Sequence, residues 1–231
     1  MNYRTAGAVA RRPAAEVEQR FMSAVYRWMT VGLFLTATVA YGVASSRTLL
    51  ELIVGNRMVF WGLILGEFGL VFALSASVHR LSAAAAGAMF LLYSALNGAT
   101  LSILLLIYTG NSVAAALAVT AGTFATMSLY ATVTKKDLSS WGSFLFMGLV
   151  GVVIAGLVNM FLQSGMMSFI ISCASVVVFT GLTAYDTQKL RQVAAAGGGS
   201  GALAVSGALM LYLDFINLFL ALLRLFGSRR D

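Results

Sequence analysis

One proline, one cysteine and one histidine occur in 231 residues, and the shortage removes several kinds of chemistry. A lone Cys173 builds neither a disulfide framework nor a cysteine metal site within the chain. With His79 as the sole histidine and no His-Glu-x-x-His run, no zinc ligand set exists. No glycine-rich phosphate loop follows a strand pattern, so nucleotide use has no support. Charge is scarce too. Only 10% of residues are charged, against about a quarter in soluble domains. What fills the chain is apolar: 60% hydrophobic residues and a mean hydropathy of +0.90. That composition is a membrane protein's.

A bilayer-crossing helix needs about 20 apolar residues. Seven such segments are present, at 28–45, 58–78, 83–107, 113–133, 141–162, 166–187 and 203–226. The breaks between them are short, so the pattern predicts an all-α membrane domain over 28–226, preceded by a polar basic tail, 1–27, and followed by a short tail, 227–231. The stretch "KLRQVAAAGGGSG" joins the sixth and seventh segments, and its Gly197 to Gly201 portion reads as a flexible loop. The N-terminal tail is not read as a signal peptide, because the apolar run after it is too long for an h-region and lacks a cleavage site.

Orientation follows from lysine and arginine in short loops. With the N-terminus inside, Arg4, Arg11, Arg12, Arg20, Arg27, Arg80, Lys135, Lys136, Lys189 and Arg191 fall on the inner side, against Arg47 and Arg57 outside. Seven crossings leave Arg229 and Arg230 outside, against the rule, and a re-entrant last segment is the alternative. The net charge of +7 is explained by this bias and gives no reason to invoke nucleic acid.

Of eight acidic residues, Glu16, Glu18, Glu51, Asp137 and Asp231 fall in tails or loops, leaving Glu67, Asp186 and Asp214 in apolar surroundings. A charge near the bilayer centre costs about 2.5–3.5 kcal/mol on insertion scales, so each calls for a partner, a proton or water. Asp186 shares a helical face with Thr183, Ser175 and Ser172; Asp214 shares one with Gly207, Met210, Asn217 and Ala221. If these stripes meet, two carboxyls in a dry interior do not easily ionise together and would share one proton. Such a pair is a proton-sensitive latch: one proton lets it hold together, and two negative charges favour separation or a cation. Two aspartates offer at most four oxygens where calcium takes about six to eight, which fits weak, transient binding, with Asn217 as an added oxygen.

Plainer roles compete. Asp186 would be a solvated helix end, Asp214 a structural hydrogen-bonding group, and Glu67, between Gly66 and Gly69, either a packing group or an ion-path residue. Asn97 and Tyr93 read as adhesive between helices. Arg80, beside His79, marks the inner end of the second segment, although a guanidinium also reaches a buried carboxylate.

"TAYDTQKL" at 183–190 and "LYLDFINLFLALLRLFG" at 211–227, with "GEFGLVFALS" and "KKDLS" earlier, resemble the motifs of the Bax inhibitor-1 (transmembrane Bax inhibitor motif) family, in particular its bacterial members. The resemblance implies seven helices with the C-terminal one central, in a bacterial cytoplasmic membrane. It also implies a pH-sensitive calcium leak, with Asp186 and Asp214 as the sensor pair and Arg80 hydrogen-bonding to them. Calcium ions and protons are then the partners, and no cofactor is implied. The loop "AAAGGGSG" between the aspartates is long for that family.

Two other functions remain open. Paired aspartates also describe a presenilin-type intramembrane protease, and Tyr185-Asp186 reproduces its Tyr-Asp. That enzyme needs Gly-x-Gly-Asp where this chain has Leu211, Tyr212, Leu213 and Asp214, and a later Pro-Ala-Leu where no proline exists. The expectation is therefore no enzyme. The other is a regulatory membrane protein that modulates a membrane-bound protease or stress response without transport of its own, a role the resemblance also implies.

Overall fold

The computed structural model describes residues 3–197 and 199–230; the expectations above for Gly198 and Asp231 lie outside that range. Nine helices follow in order among the described residues: α1 Tyr3–Ala44, α2 Arg47–Ile53, α3 Arg57–Ser77, α4 Ala83–Leu101, α5 Leu104–Ile107, α6 Gly110–Val133, α7 Gly142–Leu162, α8 Gly165–Ala195 and α9 Gly201–Phe226. A 3-10 turn, Ser139–Trp141, leads into α7, and no strand is formed among the described residues. Among the described residues six helical segments are long and apolar enough to cross a membrane, and α1 with α2, bent by 104° at their junction, brings the number to seven if the pair is counted as one span. The fold is an all-α membrane fold.

Local chemistry sets the starts of these helices. Asn56 accepts from the N–H groups of Met58 and Val59 at the head of α3. Ser82 does the same for Ala85 in α4, and Thr109 for Ser112 in α6. The Ser164 and Ser200 hydroxyls accept from Met167 at the start of α8 and Leu203 at the start of α9. Each cap satisfies an N–H that helix geometry leaves without a partner.

Burial sorts the helices. Most of the apolar window of α9 is buried, 61%, with α4 next at 44%, whereas α3 and α7 are buried over only 6% and 11%. Phe68 and Phe72 on α3, and Phe144, Phe146 and Phe161 on α7, are exposed. Apolar faces this extensive are a lipid-facing surface. The buried character of α9 agrees with a central last helix.

Some boundaries differ from the sequence reading. Helix α1 runs unbroken past residue 28, and Phe21, Met22 and Val25 are buried, so the second half of the polar stretch packs within the bundle. The third segment breaks after Leu101 and resumes at Leu104, where the Ser102 hydroxyl donates to the Ala99 carbonyl. The loop read between the two aspartates shrinks to 196–200, because α8 continues to Ala195; Gly197 takes a φ of 84° there, in the left-handed region. Helix α9 is continuous over 26 residues, about 39 Å at 1.5 Å per residue, long enough to cross a bilayer as one unbroken span.

The contacts divide the chain into two units. Unit 1 comprises Met1–Ile103 with Leu190–Met210, and unit 2 Leu104–Lys189 with Leu211–Asp231. In unit 1, α4 packs on α1 and α3. Gly98 lies so close to the Thr36 backbone that any side chain there would collide with it, and nearby the Thr36 hydroxyl donates to the buried Ser94 carbonyl at 2.9 Å. Small residues let the backbones approach, and the hydrogen bond then fixes the crossing. In unit 2, Leu145 of α7, Val178, Phe179 and Leu182 of α8, and Leu218 and Leu222 of α9 form one apolar cluster. Tyr108, Ala116, Phe219 and Leu223 form another between α6 and α9.

Candidate functional site: a buried carboxyl pair

Each residue of "YDTQ" has a separate task in unit 2. Tyr185 packs its ring against the backbone at Gly142, at the start of α7, and joins the cluster of Ala131, Leu138 and Ala184. The Thr187 hydroxyl meets that of Ser128 on α6 at 3.4 Å, both buried. Gln188 brackets the connection into α7: its Oε1 accepts from the Leu138 N–H at 2.8 Å and its Nε2 donates to the Lys136 carbonyl at 2.9 Å. In the same connection the Ser139 hydroxyl and backbone N–H hold the exposed Asp137 carboxyl below its ordinary pKa. The end of α8 is therefore tied to α6 and α7 on either side of Asp186.

Asp186 is buried, 8% exposed, and Asp214 is 4% exposed. Since α8 continues nine residues beyond Asp186, to Ala195, that residue is not a solvated helix end. The two carboxyls are neighbours close enough to act on each other electrostatically. Asp214 Oδ2 is buried and has no hydrogen-bond partner among the described residues. One cation, Lys189, acts on Asp186 from one turn along α8; it is exposed, and its ammonium lies 5.8 Å from the centre of the Tyr185 ring.

The hydroxyl stripe on α8 is buried as expected, but its donors are directed into the helix itself. Thr183 donates to the Phe179 carbonyl, Ser175 to Ile171 and Ser172 to Ser168, all between 2.7 and 2.8 Å. Asn217 likewise donates to the Leu213 carbonyl of its own helix at 2.8 Å. None of these hydrogens is directed at the carboxyls. The pair is thus an acceptor-rich spot in which one oxygen lacks a donor, and a proton or a cation is what that oxygen lacks. Among the described residues no group of three or more His, Cys, Asp or Glu is placed to hold a metal ion.

Glu67 sits in unit 1 in a different setting. Its Oε2 accepts from Asn97 Nδ2 at 3.0 Å and its Oε1 from the Thr100 hydroxyl at 2.8 Å, both across the α3/α4 contact. Asn97 is thereby the interhelical adhesive expected of it. Arg80 is exposed beyond the end of α3, with no ion pair among the described residues.

Sequence reasoning missed Thr187, Ser128 and Gln188. A glutamine two residues after a buried aspartate was the signal available, but its partners are backbone groups some fifty positions earlier, which no periodicity marks.

A family model described as "Inhibitor of apoptosis-promoting Bax1" matches residues 18–231. The chain is 49% identical over 217 residues to the inner membrane protein YbhL of Escherichia coli K12, covering 92% of this chain and 93% of that one. It is 46% identical over 227 residues to a protein of Deinococcus radiodurans, covering 97% and 96%, and 45% identical over 219 residues to one of Borreliella burgdorferi, covering 93% and 94%. Motifs, helices and match range all agree, and the chain belongs to the Bax inhibitor-1 family of membrane proteins.

Proposed function

We propose that this protein is a pH-sensitive calcium leak channel of the bacterial cytoplasmic membrane, with its N-terminus inside, gated by the Asp186/Asp214 pair. The observation that carries this reading is the buried carboxyl pair with one oxygen lacking a donor. With one proton between them, the carboxyls hydrogen-bond and hold α8 against α9. When that proton leaves, two unit charges about 4 Å apart repel by about 4 kcal/mol at an effective dielectric near 20. That is enough to shift a two-state packing equilibrium by roughly a thousandfold. Carboxylate oxygens are then available to a hard cation, and too few of them to retain it, as permeation requires. Glu67 lies in unit 1 with a donor on each carboxylate oxygen, so the proton-sensitive role is assigned to the aspartates and not to Glu67.

The test is calcium influx into dye-loaded proteoliposomes carrying the purified full-length protein. Influx above that of empty liposomes, rising with pH, supports the channel. Influx equal to empty liposomes at every pH overturns it and favours a regulatory membrane protein acting through a partner such as a membrane protease.

A further inference from the structure

We propose that unit 2 carries, apart from the carboxyl pair, a binding site for a phosphate group, presented either as an anionic phospholipid headgroup or as free phosphate. The site is a cavity of about 670 Å3 at the end of the unit where α7 passes into α8 and where α9 ends. Two side chains lining it are cationic, Arg224 and Arg229, and none is acidic among the described residues. Neither arginine has an ion pair among the described residues. Gln163 adds an amide residue to the same wall, Asn159 lines it while its own amide is bonded to Ser168 and Ser164, and Met160 and Phe169 give it an apolar side.

The position of Arg229 is built. Thr109 donates its N–H to the Ser228 carbonyl at 3.1 Å, Arg230 donates to Ile107 at 2.9 Å, and the Ser228 N–H donates to the Ser112 hydroxyl at 2.9 Å. Tyr108 and Arg229 pair as an isolated antiparallel bridge, and Tyr108 is itself buried. This clip fastens the residues after α9 to the α5–α6 corner. It uses backbone atoms of the tail, so the Arg229 guanidinium is left over for another purpose.

Arg224 stands in the last turn of α9, where a cation ordinarily complements the helix dipole. Both guanidiniums are exposed at one cavity with no carboxylate among its lining residues, and an oxyanion between them would accept paired N–H bonds. The volume is that of a small-molecule site, about 300–1,000 Å3. The flanking Met160 and Phe169 are more than half exposed on helices that face lipid, as an acyl chain beside a seated headgroup requires. Gln163, the left-handed residue with φ of 51° that caps the C-terminus of α7, contributes to the cavity wall.

The experiment is native mass spectrometry of delipidated full-length protein, offered phosphatidylglycerol, diacylglycerol or inorganic phosphate in turn. The comparison uses Arg224→Gln, Arg229→Gln and the double variant. Arg229→Gln leaves the backbone clip intact, so it tests the site even where Arg224→Gln fails to fold, and helicity by circular dichroism shows which variants have folded. Retention of phosphatidylglycerol over diacylglycerol, weakened at least about tenfold in each folded variant, establishes a lipid headgroup as the source. Retention of inorganic phosphate with the same arginine dependence establishes free phosphate. Equal retention of phosphatidylglycerol and diacylglycerol, or retention unchanged in Arg229→Gln, overturns the proposal. No calcium is measured, so the result is independent of the channel reading.

Discussion

Two acidic spots lie in the apolar part of this molecule, and their surroundings are opposite. In unit 1, Glu67 receives a donor on each carboxylate oxygen, from Asn97 and Thr100. In unit 2, Asp186 faces another acid, and Asp214 Oδ2 faces no donor at all among the described residues. A half-buried carboxylate with two donors is chemically finished and serves as adhesive between α3 and α4. A carboxyl against a carboxyl is unfinished, and its condition depends on a proton or cation supplied from outside. The two spots thus differ both in burial and in donors: Glu67 is half-buried and fully paired, whereas the aspartates are buried and one of their oxygens lacks a donor among the described residues.

The largest effect expected from breaking this comparison is on stability in unit 1. Glu67→Ala removes two interhelical hydrogen bonds, from Asn97 and Thr100, so it should destabilise by roughly 1–3 kcal/mol. Asp214→Asn should cost nothing measurable or stabilise, since it removes a carboxylate that lacks a donor. Thermal unfolding in one detergent compares the two directly, and a larger loss for Asp214→Asn than for Glu67→Ala would reverse the assignment.

Gln188→Ala should come next, at about 1–2 kcal/mol, because both ends of its amide are hydrogen-bonded to the connection into α7. Hydrogen exchange of the Leu138 amide is the specific readout: its protection should fall while that of residues in α4 does not. Asn217→Ala should cost less, about 0.5 kcal/mol, because it loses only a bond back to its own helix. The smallest effect is expected for Arg80→Ala, whose side chain is exposed and has no ion pair among the described residues. Stability should stay within about 0.5 kcal/mol, and the pH profile of calcium influx should match the parent's. A flattened profile would show that Arg80 acts on the pair, the role the family resemblance implies.

Much of this was legible in the sequence, and the physics says which part. Long apolar runs make the spans visible because a bilayer imposes a length, and the segments read at 58–78, 113–133 and 203–226 lie within three residues of α3, α6 and α9 at either end. The spacing of Asp186 and Asp214 on their helices was equally plain. Helix ends were less so. Ala194 is alanine-rich context by sequence and buried in the structure, because packing, which periodicity does not report, carries α8 onward. Partners that depend on which helices meet, such as Thr36 with Ser94 or Gln188 with Leu138, leave no local trace. The Glu67 pairing was half visible: the acid and Asn97 both stood out, and only the α3/α4 contact joins them.

The central claim is that the carboxyl pair, unlike Glu67, couples a proton to calcium passage. It is tested most directly by the pH profile of calcium influx between about pH 5 and pH 8, in liposomes carrying the parent, Asp186→Asn, Asp214→Asn or Glu67→Gln. The account predicts influx that rises with pH in the parent and in Glu67→Gln, and a flat profile in both aspartate variants. A parent-like rise in Asp214→Asn, or a flat profile in Glu67→Gln with a parent-like rise in the aspartate variants, would contradict it.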